Sequence, residues 1–567
     1  MTVTREIVVN PAAARLEEVL RGAPAPEGMD FSTLRVEPHP RGVPADFRVD
    51  ARAAMQNGES VATACTAVAD AISGLAEINA VTVVPPNVYL APTTDALARG
   101  VIDAVLSNPT RFGGSPVDQP LYYIVGFSGP NVNKPLHLGH LRNNFVGMAV
   151  ANLLADKGHT VERQAPHCDW GVHIAQALLA WKKWGDGTTP EMLGEKGDHF
   201  VGRHYVLFHQ RVTPTLEAEA TAMMKALEDG DQSLWAENHR FTQWADKGIR
   251  ETYARIGTRM DAIYYDKDYL EEGRRLISDA VATGRCIQRE DSSVYIDLES
   301  HGLGHITLVR RDGTPTVYRQ WMAVNIARFP SRPVDRIRVV VGKEWEAGLR
   351  AMRQTLVSLG HDWADRMEGV HYGLVVLPEG RMRSRQGSGV AADALLDGVR
   401  DRLLSAWSDV GGVPDEAAQT CEALAVGLLK YLFLTVKRSK DVVYSKGLLW
   451  QDGLPRFAAV VRATRWATEP ASGPGANGVA ERTLLLTINK LPNVIDRAVD
   501  ELEPGHLIRY LDGLVAATRK ADASEGMRAA VGVVLRRALG LLGIDLPSSL
   551  DNLPPQFEVD VPAGSLS

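Results

Sequence analysis

The chain has 567 residues, of which 45% are hydrophobic and 23% charged, and its formal net charge is -7 at pH 7. This composition is that of a globular protein too long for one ordinary core, so we expect about three or four domains, or a large catalytic domain with appendages. Apolar runs such as 423–429 are far shorter than the roughly 18 to 20 residues that cross a bilayer, and residues 1–22 lack the apolar stretch of a secretory signal. We therefore predict a cytoplasmic protein with no membrane partner, in which only a local basic face could bind nucleic acid.

Residues 1–112 combine helical segments, such as 62–78, with the strand-like stretch INAVTVVPPNVYLAPT. This combination predicts a small N-terminal α+β domain. A connector rich in glycine and proline, RFGGSPVDQP, covers 111–120 and marks the first domain boundary.

The segment 113–390 alternates strands, turns and helices. LYYIVGF precedes a turn and a helix from about Leu136, and a second strand, TVERQAP, precedes a second turn. Such alternation is typical of a parallel, nucleotide-binding sheet and predicts a Rossmann-like catalytic domain of the α/β class. We expect residues 174–260 to form a helical insertion between the halves of this sheet, with late strands at 334–342 and 371–377.

From 391 to 567, apolar residues recur at positions i, i+3 and i+4, which predicts an all-α bundle. The four cysteines lie far apart and form no C-x-x-C pair. This spacing argues against a zinc ribbon and against a disulfide framework, and we predict neither a metal nor a bound organic cofactor.

The stretch SGPNVNKPLHLGHLR places His137, Gly139 and His140 at the start of the helix that follows the first strand. Helix N-termini attract phosphate through free N–H groups and the helix dipole. Two imidazoles can donate to phosphate oxygens, and a glycine lets a nucleotide approach the backbone closely. Two histidines at a helix start are by themselves more often capping or core residues, so a phosphate site needs a second element.

That second element is GRMRSRQGSG, at 380–389, which follows the strand-like HYGLVVLPE. Arg381, Arg383 and Arg385 alternate in a glycine-bounded loop, where they could wrap a polyphosphate and stabilise charge on departing pyrophosphate. Such a loop alone could be a solvated turn. Because both elements follow strands of one predicted sheet, each supports the other.

The pattern GPN-x-x-K-P-x-H-x-G-H-L-R followed by D-W-G resembles the core of arginyl-tRNA synthetases, class I enzymes whose two signatures read HLGH and RMRSR here. The resemblance covers nearly the whole chain, since residues 1–112 look like that family's tRNA-binding N-terminal domain and 391–567 look like its anticodon-binding bundle. It implies an ATP-dependent ligase that activates an amino acid or related carboxylate as an acyl-adenylate. ATP with Mg²⁺ would be its substrate complex and tRNA a possible partner, and we expect a monomer.

The resemblance also implies roles for individual residues on the ATP side. Family members that lack the second lysine of the later signature carry a lysine upstream of the first, and Lys134, the first lysine of this chain, stands there. Its ammonium could stabilise charge on departing pyrophosphate, although a lysine that only caps a turn is the alternative. The implied catalytic residues are Lys134, His137, His140, Arg381, Arg383 and Arg385. The implied ATP-binding residues are His137, Leu138, Gly139, His140, Met382 and Ser384.

The amino-acid side departs from the family pattern. Gly126 replaces a glutamate that meets the substrate's ammonium, Met322 replaces the aspartate of Tyr-x-x-x-Asp, and Trp345 replaces a glutamine. Burying a guanidinium without a carboxylate costs several kcal/mol, so these changes predict a substrate other than arginine. The implied substrate-binding residues are Gly126, Ser128, Asn131, Asp169, Glu271, Tyr318, Met322 and Trp345.

The tRNA side is altered as well, because the family's tyrosine-rich stretch becomes LPRFAAVVRATR, at 454–465, with few aromatic rings for base stacking. Candidate tRNA contacts, or else solvated helix ends, are Lys437, Arg438, Lys440, Arg462 and Arg465. The sequence thus favours a diverged ligase that passes its acyl group to another acceptor, such as an amine in specialised metabolism. A housekeeping arginine–tRNA ligase is one alternative, and a non-catalytic tRNA-binding or regulatory protein is another.

Overall fold

The computed structural model describes residues 11–38, 45–56, 58–114, 116–329, 333–378, 380, 390–409, 413–471, 473 and 478–558. The chain divides into two compact units. The first comprises Met1–Asp118, Asp156–Gly158 and Leu454–Ser567, and the second comprises Gln119–Ala155 and His159–Gly453. The domain boundaries expected near 112 and 390 stay predictions.

The N-terminal part of the first unit contains helices and an antiparallel sheet, as predicted. Its elements are α1 (Pro11–Gly22), β1 (Val36–Pro38), β2 (Phe47–Asp50), α2 (Val61–Ser73), β3 (Ile78–Val84), β4 (Asn87–Pro92) and α3 (Thr94–Ser107). The strand order is β1-β2-β4-β3. Helix α2 starts where Ser60 accepts a hydrogen bond from the Thr63 N–H, and it buries Cys65, Val68 and Ile72.

The second unit is built around a parallel sheet. Its elements in chain order are β5 (Tyr122–Gly126), α4 (Leu138–Asp156), β6 (Thr160–His167), α5 (Val172–Trp184), α6 (Pro190–Leu193), α7 (Gly197–Gln210), α8 (Pro214–Glu228), α9 (Gln232–Arg255), β7 (Ala262–Tyr265), α10 (Leu270–Ala282), β8 (Ile287–Gln288), β9 (Val294–Asp297), β10 (His305–Val309), α11 (Val317–Arg328), β11 (Arg336–Gly342), α12 (Glu346–Ser358), β12 (Met367–Tyr372), β13 (Val375–Val376), α13 (Ala392–Asp409), α14 (Ala417–Thr435) and β14 (Val442–Val443).

The parallel sheet has the strand order β12-β11-β5-β6-β7. The chain runs outward from β5 through β6 to β7 and then returns to the other side of β5 as β11. The carboxyl ends of β5 and β11 therefore flank a switch point, where sheets of this kind bind ligands. The predicted Rossmann-like core is confirmed.

Helices α5 to α9 confirm the helical character predicted for 174–260, but the predicted place of this insertion is wrong. It lies between β6 and β7, which are neighbours in one half of the sheet. The halves are instead joined by α10, α11 and an antiparallel sheet of order β10-β9-β8. Strand β7 has only four residues, too short an apolar run to be recognised from sequence.

Two later elements also differ from expectation. The strand predicted at 371–377 is divided between the end of β12 and the short β13, which pairs in parallel with β14. Helix α14 is long and apolar enough to cross a membrane, but 72% of its apolar window is buried inside the protein. Its side chains form part of the core of the second unit, including Tyr431 and Phe433.

The C-terminal part of the first unit is helical, as predicted. It contains α15 (Leu454–Trp466), α16 (Val479–Ile488), α17 (Leu491–Asp500), α18 (Gly505–Thr518), α19 (Glu525–Leu541) and α20 (Pro555–Glu558). These helices pack on the N-terminal part of the same unit. Arg482 of α16, for example, pairs with Asp46 and donates to the Pro92 carbonyl at 2.7 Å.

Candidate functional site

Two imidazoles lie at the start of α4, just beyond the carboxyl end of β5. The Gly139 N–H donates to His137 Nδ1 at 3.1 Å, and the His137 N–H donates to His140 Nδ1 at 3.2 Å. An Nδ1 that accepts a hydrogen bond carries no proton, so both rings hold their proton on Nε2. Each ring can therefore donate one N–H to a phosphate oxygen at this helix start.

Both imidazoles are neutral at physiological pH. Burial, reinforced by the nearby Lys134 charge, lowers the pKa of His137 to about 4. Burial likewise holds the pKa of His140 well below its usual value, with His137 and Lys134 adding to the effect. In this state the rings offer neutral N–H donors, and the positive charge beside them is that of Lys134.

Besides its predicted role, which is to let a nucleotide approach the backbone, Gly139 has a packing role. A Cβ at this position would lie 3.1 Å from His137 Cε1 and 3.2 Å from His137 Nδ1. Both distances are tighter than ordinary contact, so a side chain at this position would require the His137 ring to shift by a few tenths of an ångström. The glycine therefore leaves room for the ring in its hydrogen-bonded position.

Lys134 supplies the neighbouring charge. Its ammonium lowers the pKa of His137, His140 and His173, and together with burial it brings that of His173 to about 4. The turn that carries it is tied to the end of β6, because the Val132 N–H donates to the Cys168 carbonyl at 2.9 Å. The structure thus brings the predicted lysine to the predicted histidines.

The second predicted phosphate element is only partly visible. Arg381, Met382, Arg383, Ser384 and Arg385 lie outside the described residues, so their roles stay predictions. The residues on either side of them are placed. The Gly380 N–H donates to the Leu377 carbonyl at 2.9 Å, and the Ala392 N–H donates to the Leu136 carbonyl at 2.8 Å. The segment that follows the loop is therefore bonded directly to the residues before α4.

Arg142, one turn into α4, ends the sequence pattern GPN-x-x-K-P-x-H-x-G-H-L-R, which by itself indicates no role for it. It is fully buried, and its guanidinium donates to the carbonyls of Gly373 at 2.5 Å and of Lys437 and Arg438 at 3.4 Å. These carbonyls lie in the segment after β12 and in the turn after α14. Arg142 thus fixes α4 to the segment after β12 and to the turn after α14.

Ser128 adopts φ 54°, in the left-handed region that non-glycine residues rarely occupy. Its N–H donates to Asn143 Oδ1 at 2.6 Å, and its hydroxyl contacts Asn144 Nδ2 at 2.8 Å and the Tyr253 hydroxyl at 2.7 Å. Tyr253 continues this buried network to His167 at 3.1 Å. The Ser128 hydroxyl is committed to the network, and a contact with substrate stays a prediction.

Gly126, Asn131 and Asp169 meet at the carboxyl edge of the sheet. A Cβ at Gly126 would come no closer than 3.9 Å to any neighbour, so packing does not require glycine there. Asn131 pairs with Cys168, the residue before Asp169. Asp169 is buried, which raises its pKa, but Lys267 counters that effect by donating from Nζ at 2.6 Å and from its N–H at 3.0 Å. Its negative charge is thus paired within the protein, through a lysine that sequence reasoning missed.

Tyr318 and Trp345 come together. A Cβ at Gly348 would lie 3.0 Å from Trp345 and 3.4 Å from the Tyr318 hydroxyl, and the ring centroids of Trp345 and Trp321 are 5.0 Å apart. Met322 lies close to this aromatic group, because Tyr318 and Trp321 pack against the core cluster that contains it. It is 0% exposed and belongs to an apolar core together with Met352, Leu349 and Ile337.

Glu271 is not brought to the other predicted substrate residues. Its side chain is 80% exposed on α10 and pairs with Arg274 at 2.9 Å. Asp268, which precedes that helix, is closer to Asp169, whose pKa its charge raises. Asp268 was not among the predicted substrate residues, and the turn before α10 places it, rather than Glu271, near Asp169.

The predicted tRNA-binding residues fall into two groups. Lys437 and Lys440 are exposed in the turn after α14, where Arg438 donates to the His371 carbonyl. In α15, Arg462 donates to the Phe557 carbonyl at 2.7 Å. Arg465 binds both carboxylate oxygens of Glu558, at 2.5 and 2.7 Å. Phosphate would have to compete with Glu558 for the Arg465 guanidinium.

The sheet order and the two imidazoles at the start of its first helix define the catalytic domain of a class I aminoacyl-tRNA synthetase. Residues 102–446 match the family described as "tRNA synthetases class I (R), catalytic domain".

Curated relatives and solved structures agree with this match. The arginine–tRNA ligase of Bacteroides thetaiotaomicron is 31% identical over 75% of this chain and 80% of its own length. That of Treponema denticola is 33% identical over 75% of this chain and 76% of its own length. The arginyl-tRNA synthetase structure from Thermus thermophilus has a TM-score of 0.68 at 21% identity and covers 96% of this chain and 99% of its own. The chain belongs to the arginyl-tRNA synthetase family and is an ATP-dependent ligase of that family.

Proposed function

We propose that this ligase activates the carboxylate of an amino acid with ATP and then transfers the acyl group to tRNA. The observation that supports the first step is the pair of neutral imidazoles at the start of α4, with Lys134 beside them. The names of the relatives, arginine–tRNA ligases, support tRNA as the acceptor. The predicted amine acceptor has no support among the described residues.

In the first step a carboxylate oxygen attacks the α-phosphorus of ATP, which arrives as its Mg²⁺ complex. A new P–O bond forms, the bond to the bridging oxygen breaks, and pyrophosphate leaves with the negative charge. His137 and His140 would hold phosphate oxygens through their Nε2–H groups, and the Lys134 ammonium would offset the charge on the leaving group. In the second step a terminal hydroxyl of the tRNA attacks the acyl carbon, and AMP leaves.

The amino-acid pocket supports a substrate other than arginine. Met322, at the place of the family's guanidinium-binding aspartate, is buried in the apolar core, and the charge of Asp169 is paired with Lys267. An incoming guanidinium would have to break that ion pair or remain without a carboxylate partner. Burying a guanidinium without such a partner costs several kcal/mol.

Arginine is the second candidate substrate, and a specific observation favours it besides the relatives' names. Asp268 is exposed and lies close enough to Asp169 to raise its pKa, so it could meet a cationic side chain without first breaking an ion pair to another described residue.

The predicted cytoplasmic location and monomeric state stay predictions.

Pyrophosphate exchange with each amino acid in turn, with and without total tRNA, tests the proposal. We expect exchange with an amino acid other than arginine, followed by its attachment to tRNA. Exchange with arginine alone would establish the second candidate. No exchange with any amino acid, together with tight tRNA binding, would favour the non-catalytic alternative and refute the proposed activity.

Lys134→Ala tests the role of the lysine within that reaction. We expect adenylate formation to slow by about 10- to 100-fold, because a positioned charge on the leaving group is lost, with little change in the KM for ATP. Lys183→Ala is the matched control, since Lys183 is a surface lysine paired with Glu219 at 2.7 Å. An unchanged rate in Lys134→Ala would remove the lysine from the mechanism.

A further inference from the structure

Helix α7 of the insertion touches the turn that carries Lys134. Gly202 is buried in this helix, where glycine is an unfavourable residue unless space requires it. A Cβ at Gly202 would lie 2.7 Å from Pro135 Cδ, 3.3 Å from Lys134 Cα and 3.7 Å from Lys134 Cβ. The backbone of α7 therefore lies directly against Lys134 and Pro135, at a distance that only glycine permits.

The same helix is held at its start by a charged cluster. Lys196, just before α7, donates to Asp393 Oδ2 at 2.7 Å, and His199 Nε2 lies 3.0 Å from the same oxygen. Hydrogen bonds from both residues, together with their charges, hold the pKa of the Asp393 carboxyl well below its usual range, against the effect of burial. Asp198 completes a group of possible metal ligands, but the Lys196 ammonium already bridges the two carboxylates.

Asp393 connects this cluster to the second phosphate element. It is the second residue of α13, three residues beyond Val390, whose carbonyl accepts from the Leu138 N–H at 3.3 Å. Helix α7 thus contacts the turn of Lys134 at Gly202 and the first turn of α13 through the cluster at its start. Both contacts lie within the second unit.

We propose that α7 sets the position of Lys134 for phosphate chemistry and that Gly202 is the positioning residue through which it does so. This inference rests on the role of Lys134 in the proposed function. The turn is also held by the hydrogen bond from the Val132 N–H to the Cys168 carbonyl, so we expect a methyl group at position 202 to push against Pro135 and to shift the adjoining main chain of Lys134. Pro135 offers no flexible side-chain end that could move aside instead.

Gly202→Ala tests this inference by separating kcat from KM. A displacement near 1 Å at a reacting group can cost up to about 100-fold, so we expect kcat for pyrophosphate exchange to fall by about 10-fold or more. The KM for ATP should stay within about twofold, since the phosphate-binding imidazoles are not contacted. Gly398→Ala in α13 is the matched control, because a Cβ there would meet no atom within 4 Å. Its kcat should equal that of the unsubstituted protein.

A double-mutant cycle with Lys134→Ala distinguishes an effect of Gly202 on kcat through Lys134 from a general effect on the structure. If Gly202 acts through Lys134, Gly202→Ala should have no further effect on kcat once the lysine is removed. Additive losses, or an unchanged kcat in Gly202→Ala, would overturn the inference. An unchanged kcat in Lys134→Ala alone would instead overturn the proposed role of the lysine. If Gly202→Ala does not fold, Pro135→Ala is added to remove the closest contact, and kcat of the combined variant should then equal that of Pro135→Ala alone; a kcat well below that of Pro135→Ala would overturn the inference.

Discussion

Replacing Met322 by aspartate restores the acid that the family pattern has at this position, and it should destabilise the protein rather than create an arginine site. Met322 is 0% exposed and packs among apolar residues that include Met352 and Leu349. Losing a buried methionine side chain costs about 2–5 kcal/mol. A carboxyl group without a hydrogen-bond partner in its place costs about 1–3 kcal/mol more.

The sum, about 3–8 kcal/mol, is a large part of the 5–15 kcal/mol that typically stabilises a folded protein. We therefore expect a marked fall in the urea midpoint of unfolding for Met322→Asp, and no gain in arginine-dependent pyrophosphate exchange. Met322→Leu keeps the volume and the apolar character, and should cost less than about 1.5 kcal/mol. If Met322→Asp unfolds at the parental midpoint and exchanges arginine, residue 322 faces the substrate and its assignment to the core is wrong.

Two further predictions concern a substitution at the edge of the sheet and the pH dependence of the protein's stability. Gly126→Glu should fold normally, because a Cβ at this position meets nothing closer than 3.9 Å. It should also raise arginine-dependent pyrophosphate exchange relative to Gly126→Gln, the uncharged control. Equal exchange in the two variants would show that a charge at this position does not reach the substrate. Burial would raise the pKa of Asp246, but hydrogen bonds from His167, Arg250 and Tyr265 together hold it at about 2, from an ordinary value of 3.8. Because the folded-state pKa is the lower one, about 2 kcal/mol of stability is present above pH 4 and is lost as the pH falls towards 2. Urea unfolding between pH 5 and 2 should follow this slope, and Asp246→Asn should flatten it; parallel slopes would contradict the ion-pair account.

The ATP side could be predicted because its residues are contiguous. HLGH follows a strand directly and opens a helix, so helix geometry alone brings both imidazoles to one N-terminus. Lys134 lies three residues earlier in the same turn, and the structure places it where its charge acts on both rings. The tautomers that let these rings donate to phosphate depend on main-chain hydrogen bonds, which sequence does not display.

The amino-acid side was harder to predict because its residues come from distant parts of the chain. Glu271 and Asp268 are three residues apart in sequence, yet only the second lies near Asp169. Met322 could have faced either a pocket or the core, and the packing of α11 against α12 decided for the core. Lys267 carries no sequence pattern that indicates its pairing with Asp169.

By itself the sequence determined the class of the sheet, the helical character of the insertion and of the C-terminal part, and the place of the helix that begins with the two imidazoles. These follow from hydrophobic periodicity and from short motifs, which act over a few residues. Tertiary structure alone decided that the insertion lies between β6 and β7, that the charge of Asp169 is paired with Lys267, and that α7 lies against Lys134. Each of these depends on contacts between residues far apart in the chain, where burial, charge pairing and the absence of one methyl group at Gly202 set the geometry.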